Sequence, residues 1–304
     1  SLHGDWEIHW IGWPGLHLET GPDQAHVTAL LSRHAFHPVF LTQAQIEAYY
    51  EGYCNNIIWP LCHYFFAYIQ YDQKSLAAYR FVNRMFFEAA MRLIRPGDRV
   101  WVQDYQLMLL PGMLREAMPE IAIGYFHHIP FPSYELFRVL PERAEILRGL
   151  LGADLLGFQR REDATSFLRA CREALGLAAR RGRIRVPASD GAPAHTAEVA
   201  AFPISIDGES LAELAETPEV MARAAEIRED LGHDRKIVLG VDRLDYTKGI
   251  GHRLKAYGEL LADGRVDPAT TVLVQVASPS RERVEEYQRL RDEVELTVGR
   301  LNGV

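Results

Sequence analysis

Cysteine is scarce in this sequence, and the three present, Cys54, Cys62 and Cys171, stand far apart without CxxC spacing. That excludes a disulfide framework and fits reduced, buried thiols in a cytosolic protein. Lysine is almost as rare: Lys74, Lys236, Lys248 and Lys255 are the only ones among 33 basic residues. There is no excess of positive charge, and the formal net charge of -8 argues against a nucleic-acid partner. Long hydrophobic runs are missing as well. The most apolar stretch, 57–69, is short and broken by Pro60 and His63, so no membrane partner is expected. No signal-peptide pattern opens the chain, and the expected location is cytoplasmic. His34 and His37, and His127 and His128, lie close in sequence. No cysteine or carboxylate completes a ligand set around either pair, so no metal is expected. Gly249-x-Gly251 lacks the third glycine of a dinucleotide fingerprint, and no P-loop Gly-Lys-Ser/Thr occurs, which disfavours a nucleotide-binding dehydrogenase.

What the sequence does have is an ordinary globular balance, 48% hydrophobic and 24% charged, over 304 residues, enough for two domains or one and a half. Strand-like and helix-like patterns alternate, the mark of an α/β protein with parallel sheets. Strands are expected at 7–12, 38–41, 99–103, 121–127, 153–158 and 198–203. Helices are expected from about Gln43, where Thr42 and Gln45 have capping-box spacing, and at 75–94, 107–118, 143–151 and 162–174. Residues 176–194 resemble an excursion around one short strand at 184–186. A polar connector helix, 218–231, leads to a fresh βαβ start: strand 236–241, helix 250–262, strand 271–277 and helix 282–302. A domain boundary is therefore placed near 232, giving domains 1–232 and 233–304. Both ends read as cut, since the chain opens without Met on strand-like residues and stops just past a helical pattern.

Ligands of open parallel sheets bind beyond the carboxyl ends of the strands, so the strand exits are where chemistry is expected. Asp104 follows the strand 99–103 and precedes an apolar helix; it suits either a helix cap or a site. His127 and His128 end another strand before a proline-stiffened loop. Alternation points them opposite ways, and His128 is expected to face the cleft. The third exit, Asp242-Arg243-Leu244-Asp245-Tyr246-Thr247-Lys248-Gly249, sets Arg243 and Lys248 around a short loop before a helix. Cations beside a helix N-terminus favour a phosphate or diphosphate, whereas a plain solvated loop would carry only a weak Arg243–Asp245 pair. An aromatic cluster, Tyr49-Tyr50, Tyr53, Trp59-Pro60 and 63–66, is mostly core by its pattern. Tyr50 and Trp59, nine residues apart, fall on opposite faces of an unbroken α-helix, so both reach one pocket only if the helix bends or ends near Pro60.

Taken together, the stretches from Trp10-Ile11-Gly12-Trp13-Pro14-Gly15 through Trp101-Val102-Gln103-Asp104-Tyr105, His128-Ile129-Pro130-Phe131-Pro132, Asp154–Gln159 and Val241–Gly249 to Arg300-Leu301-Asn302-Gly303 resemble the trehalose-6-phosphate synthase family. These are retaining glycosyltransferases of the two-domain GT-B type. The resemblance implies twin Rossmann-like parallel sheets, with the N-terminal domain nearly complete and the C-terminal domain truncated. It implies transfer of glucose from a nucleotide sugar, UDP-glucose or its ADP or GDP counterpart, to glucose 6-phosphate. Arg243 and Lys248 would hold the donor diphosphate and neutralise the leaving group, and His128 would contact the transferred sugar. Tyr50, Trp59 and Asp104 would line the acceptor pocket, and Arg281 would help bind the acceptor phosphate. Neither cofactor nor metal is implied, because attack occurs on the front face without a protein nucleophile. A homo-oligomer and a fused phosphatase domain beyond the C-terminus are both compatible with it.

The sequence departs from the family at Gln103 and Gln106, where many members carry histidines. The family's first strand would lie before Ser1, and the acidic residues that bind the donor's hydroxyls would lie after Val304, so this stretch alone is expected to be poorly active or inactive. Competing expectations are a sister enzyme such as glucosylglycerol-phosphate synthase, or a non-catalytic regulatory homologue. Arg243, Lys248 and His128 argue against the latter.

Overall fold

In the computed structural model, residues 6–189 and 191–303 are described, and the chain divides into two units between Pro203 and Ile204. The sequence pattern instead marked the boundary near 232, where a new βαβ run starts. By contacts, the helices between those two points group with the second unit.

The first unit opens with strand β1 (Trp10–Gly12), helix α1 (Gly21–Ser32) and strand β2 (Phe36–Pro38), with β1 and β2 forming a parallel pair of their own. Strand β1 covers only the second half of the expected 7–12, and β2 starts two residues before the expected 38–41. Helix α1 escaped the sequence pattern because it buries no residue and so needs no apolar stripe. Its signals are local: Thr20 accepts the Asp23 N–H, and Pro22 sits in the first turn. The capping box at Thr42 is present, with Gln45 N–H to Thr42 Oγ1 at 3.2 Å and Thr42 N–H to Gln45 Oε1 at 2.8 Å. It opens a helix that widens at once into a π-helix over Ile46–Ile58. Helix α2 (Gln73–Met91) packs against it, and Gly52 makes that approach feasible: a Cβ there would lie 2.6 Å from Ser75 Oγ.

Then come β3 (Arg99–Gln103), α3 (Leu110–Ala117), β4 (Ala122–His127), α4 (Arg143–Leu150), β5 (Leu155–Phe158), α5 (Arg161–Leu175), β6 (Ala179–Arg180), β7 (Arg183–Val186) and β8 (His195–Ala201). They form one six-stranded sheet in the order β3-β4-β5-β8-β7-β6. Strands β3, β4, β5 and β8 run parallel, as the alternating pattern requires. The region 176–194 is no loose excursion: β6, β7 and β8 pair antiparallel and extend the sheet, making it mixed. The core holds the wholly buried Tyr53, Tyr79, Tyr105, Tyr125, Phe158 and Phe167, and the three cysteines are free and buried.

The second unit contains α6 (Gly208–Ala215), α7 (Pro218–Leu231), β9 (Lys236–Arg243), α8 (Ile250–Ala262), β10 (Thr271–Ser278) and α9 (Glu285–Leu301). Strands β9 and β10 are parallel and in register from Lys236↔Thr271 to Arg243↔Ser278. Leu244, Ile250 and Leu254 form a small core, closed by Leu273, Ala277, Leu290, Val294 and Leu301. Among the described residues, no helix is long and apolar enough to cross a membrane.

Candidate functional site

In the first unit the exits of β3 and β4 meet. Asp104, directly after β3, has φ 67° and ψ 176°, a conformation that costs a non-glycine residue on the order of 1–3 kcal/mol and persists only when its surroundings impose it. Its N–H donates to Phe126 O at 2.8 Å. Its carboxylate does not cap the turn that follows; Oδ1 instead accepts the backbone N–H of His128 at 3.0 Å, across the two strand ends. The helix-cap alternative is therefore replaced by a tie between β3 and β4.

The turn after Asp104 is held by side chains whose reach the sequence did not reveal. Tyr79 Oη donates to Tyr105 O at 2.8 Å and accepts the Met108 N–H at 2.9 Å. Tyr49 Oη and Asn83 Nδ2 both donate to Gln106 O, and Tyr105 Oη donates to Asn55 Oδ1. Aromatic residues expected to be core are core, and their hydroxyls also fix the loop carrying Asp104. Burial raises the pKa of Tyr49 and Tyr79 well above the usual phenol range, so both remain donors.

His128 is exposed and His127 is buried, as strand alternation requires. The His128 ring bonds through Nε2 to Gln103 Oε1 at 2.7 Å and lies edge-on to Phe126, with centroids 4.8 Å apart. His127 bonds through Nδ1 to Tyr125 Oη at 2.9 Å, and burial lowers its pKa to about 4, so that ring is neutral.

Tyr50 lies in the first half of the wide helix, and Trp59 is the residue that caps its C-terminal end. The bend expected at Pro60 is not how the chain solves their spacing. In a helix closed by i→i+5 bonds, nine residues span roughly two turns rather than two and a half, which returns them to one side. The Trp59 N–H donates to Cys54 O in that pattern. The Asn56 carbonyl, which an α-helix would pair with residue 60, accepts the Gln70 N–H at 3.0 Å instead. Trp59 is buried against His63 and Tyr105, with ring centroids at 4.0 and 5.9 Å, whereas Tyr50 packs on Trp13 at 5.3 Å. Among the described residues no ring contact joins the two.

In the second unit, Arg243 ends β9, and the loop 244–249 leads into α8. Asp245, wholly buried, shapes this loop by accepting the Thr247 N–H and hydroxyl at 3.0 and 2.9 Å. Gly249 enters α8 in the left-handed region, φ 65°, and among the described residues no side chain caps the helix. Its first N–H groups are therefore available to an anion, with exposed Lys248 at the same turn. The Arg243 guanidinium lies 3.6 Å from Asp245 Oδ2 and 3.4 Å from Ser280 Oγ. Arg281, at φ 52°, is buried: Nη1 lies 3.7 Å from Asp245 Oδ2 and donates to Tyr287 Oη, which itself donates to Asp245 Oδ2 at 3.0 Å. Asp245 thus organises both arginines.

Arg253 was missed from the sequence, because a cation in a polar helix reads as solvated. On the first turn of α8 it donates to Asp242 Oδ2 at 2.8 Å, to Gln275 Oε1 and to Lys248 O. That bond, more than any other cause, holds the Asp242 carboxyl below the usual carboxylate range. Gly240 leaves room for this triangle, since a Cβ there would sit 2.3 Å from Gln275 Oε1 and 2.5 Å from Arg253 Nη1.

A cavity of about 530 Å³ lies elsewhere in the first unit, lined by Gly112, Arg115, Arg148, Gly152 and His195 among others. These residues precede β4, β5 and β8 or begin them, so the cavity is at the amino ends of the strands, away from the exits where parallel sheets bind ligands. None of the predicted site residues lines it.

Comparison with known proteins covers the whole chain. The glycosyltransferase family 20 model matches residues 1–304. The trehalose-6-phosphate synthase of Mycobacterium bovis is 48% identical over 300 residues, covering 97% of this chain and 60% of that protein. That of Mycobacterium marinum is 48% identical over 297 residues, covering 97% and 59%. Among solved structures, an α,α-trehalose-phosphate synthase (UDP-forming) from Burkholderia xenovorans, in complex with glucose-6-phosphate, superposes with a TM-score of 0.84 at 31% identity over 97% of this chain and 64% of that one. An E. coli protein bound with UDP-2-fluoro glucose gives 0.83 at 27% identity, covering 97% and 63%. The chain thus spans about 60% of the length of the curated relatives it matches.

Proposed function

This chain belongs to glycosyltransferase family 20, and from that premise we propose that the full-length protein is a cytoplasmic retaining glucosyltransferase that joins glucose from UDP-glucose to glucose 6-phosphate, forming trehalose 6-phosphate. The observation that carries it is the uncapped start of α8, with Arg243 and Lys248 beside it at a strand exit. A leaving nucleoside diphosphate needs such an arrangement. When the bond from the anomeric carbon to the β-phosphate oxygen breaks, its electron pair leaves with the diphosphate. Fixed cations and helix N–H groups stabilise the charge that develops there. The acceptor hydroxyl bonds to the same face of the anomeric carbon, and its proton passes to the departing phosphate. Arg243, Lys248 and the helix supply the positive charge, so no metal or cofactor enters this scheme.

The remaining residues divide by substrate. His128 contacts the transferred sugar. Tyr50, Trp59 and Asp104 line the acceptor pocket, and Arg281 serves the acceptor phosphate, which requires its guanidinium to share itself between phosphate and Asp245. The two substrates are supported by relatives, one solved with glucose-6-phosphate and another with UDP-2-fluoro glucose.

The test is nucleoside diphosphate release by the full-length protein, with UDP-glucose and either glucose 6-phosphate or glycerol 3-phosphate. Release with glucose 6-phosphate is expected. Release only with glycerol 3-phosphate would reassign the acceptor, and release with neither would overturn the activity. Lys248→Ala is expected to lower kcat by about 10²–10³ with an unchanged circular dichroism spectrum, the usual loss for one transition-state donor. Undiminished turnover would remove Lys248 from the diphosphate site.

A further inference from the structure

The contacts of His128 specify more than its location. Gln103 Oε1, 2.7 Å from the ring's Nε2, is a carbonyl oxygen and can only accept. The proton of that bond therefore belongs to Nε2, and in a neutral ring the lone pair is left on Nδ1. Two other contacts hold the ring in place. The His128 backbone is anchored by Asp104 Oδ1, and the ring packs T-shaped against Phe126. Gln103 and Asp104 are consecutive, so one strand end grips both the backbone and the ring of His128. The β3–β4 register makes this reach natural, because Gln103 pairs with Phe126, two residues before His128 and on the same side of the strand.

We infer that Gln103 is the positioning residue of His128, holding its ring in the Nε2–H form so that it meets a sugar hydroxyl as an acceptor through Nδ1. What the ring meets rests on the proposed function; which nitrogen carries the proton does not. The consequence is specific: the sugar hydroxyl donates to His128, and the ring is not a proton donor to the substrate. A histidine at 103 could either donate or accept, whereas a glutamine carbonyl directed at Nε2 leaves one choice.

The experiment uses the full-length protein labelled with ¹⁵N at histidine only. The His128 ring is identified by the signals lost in His128→Gln. Two-bond ¹H–¹⁵N correlations, recorded where the ring is neutral, report which nitrogen is protonated. The native protein is expected to show Nε2–H alone, and Gln103→Glu, which still accepts, to show the same. Gln103→Lys offers only donors and is expected to move the proton to Nδ1. A native ring in the Nδ1–H form or mixed between forms, or a Gln103→Lys ring unchanged from native, would overturn the assignment. Backbone amide spectra confirm that each variant is folded. In turnover, Gln103→Leu is expected to lose about tenfold in kcat/KM, the scale of one hydrogen bond. If the ring behaves as expected but no sugar is transferred by the native protein, the proposed function fails and the positioning stands.

Discussion

His127 and His128 share a strand end yet live in different media. The His127 ring lies in the core among Tyr125, Phe131 and Phe158, at centroid distances of 6.1, 5.7 and 5.8 Å. Burial disfavours its charged form more than the nearby Asp104 carboxylate favours it, which is why its pKa falls to about 4 from 6.5. The unfolded chain therefore takes up a proton in this window that the folded chain refuses. Stability is complete above about pH 6.5 and declines as pH drops toward 4, by about 3 kcal/mol in total from this one group. Denaturant unfolding of the native protein and of His127→Phe, measured between those pH values, should diverge in slope, with the variant the flatter. Parallel slopes would mean that His127 is charged in the folded state. At this scale the sequence was informative where alternation applied, separating the buried from the exposed histidine. It marked Gln103 only as a departure from the family and was silent on Arg253; the importance of both comes from partners on other elements.

Helices α3 and α4 meet through glycines, backbone against backbone. A Cβ on Gly149 would lie 2.5 Å from Met108 O and 2.8 Å from Leu109 Cα, and one on Gly152 would lie 2.4 Å from the Gly112 nitrogen. No rotamer change relieves a clash with main chain, so Gly149→Ala must push α4 away from the turn that follows Asp104. A loss of about 3 kcal/mol is expected by urea unfolding, at the upper end of overpacking costs; a loss under about 1 kcal/mol would show that the helices yield easily. Elements with a clear period were legible: β3, α7 and α8 occupy the residues that their patterns marked. The π-helix was not, because apolar spacing is read against 3.6 residues per turn and this segment obeys another period. Of the antiparallel β6–β7 hairpin, β7 is the short strand expected at 184–186, while β6 was hidden by a composition rich in Arg, Gly and Pro that looks like loop.

Across the whole molecule the two units differ in how they treat their strands. In the first unit β4 and β5 are central and largely buried. In the second, β9 pairs with β10 alone among the described residues and leaves Leu239 63% and Val241 66% exposed, with Val238 also uncovered. Contiguous apolar surface on a short sheet invites association. The 304-residue chain is therefore expected to bind a hydrophobic dye and to self-associate as concentration rises, and Leu239→Lys with Val241→Lys should reduce both. Light scattering that is equal for the two forms would place the sticky surface elsewhere. The sequence marked β9 as a strand by its run of apolar residues, but five of its eight residues are exposed; hydrophobicity measures a preference for burial, not whether a covering neighbour is in place.

The wide helix over Ile46–Ile58 has a consequence of a different sort. Each of its backbone rings encloses one residue more than an α-helical ring does. Removing a single residue lets the segment settle into the commoner form and swings the side chains on one side of the cut by about 100° relative to the other. Tyr49 would then lose the carbonyl of Gln106, and Tyr50 and Trp59 would no longer share one side of the helix. Letters in this stretch can drift as long as apolar positions stay apolar, but its length cannot. Among homologues, gaps should avoid these thirteen positions even where the residues themselves vary.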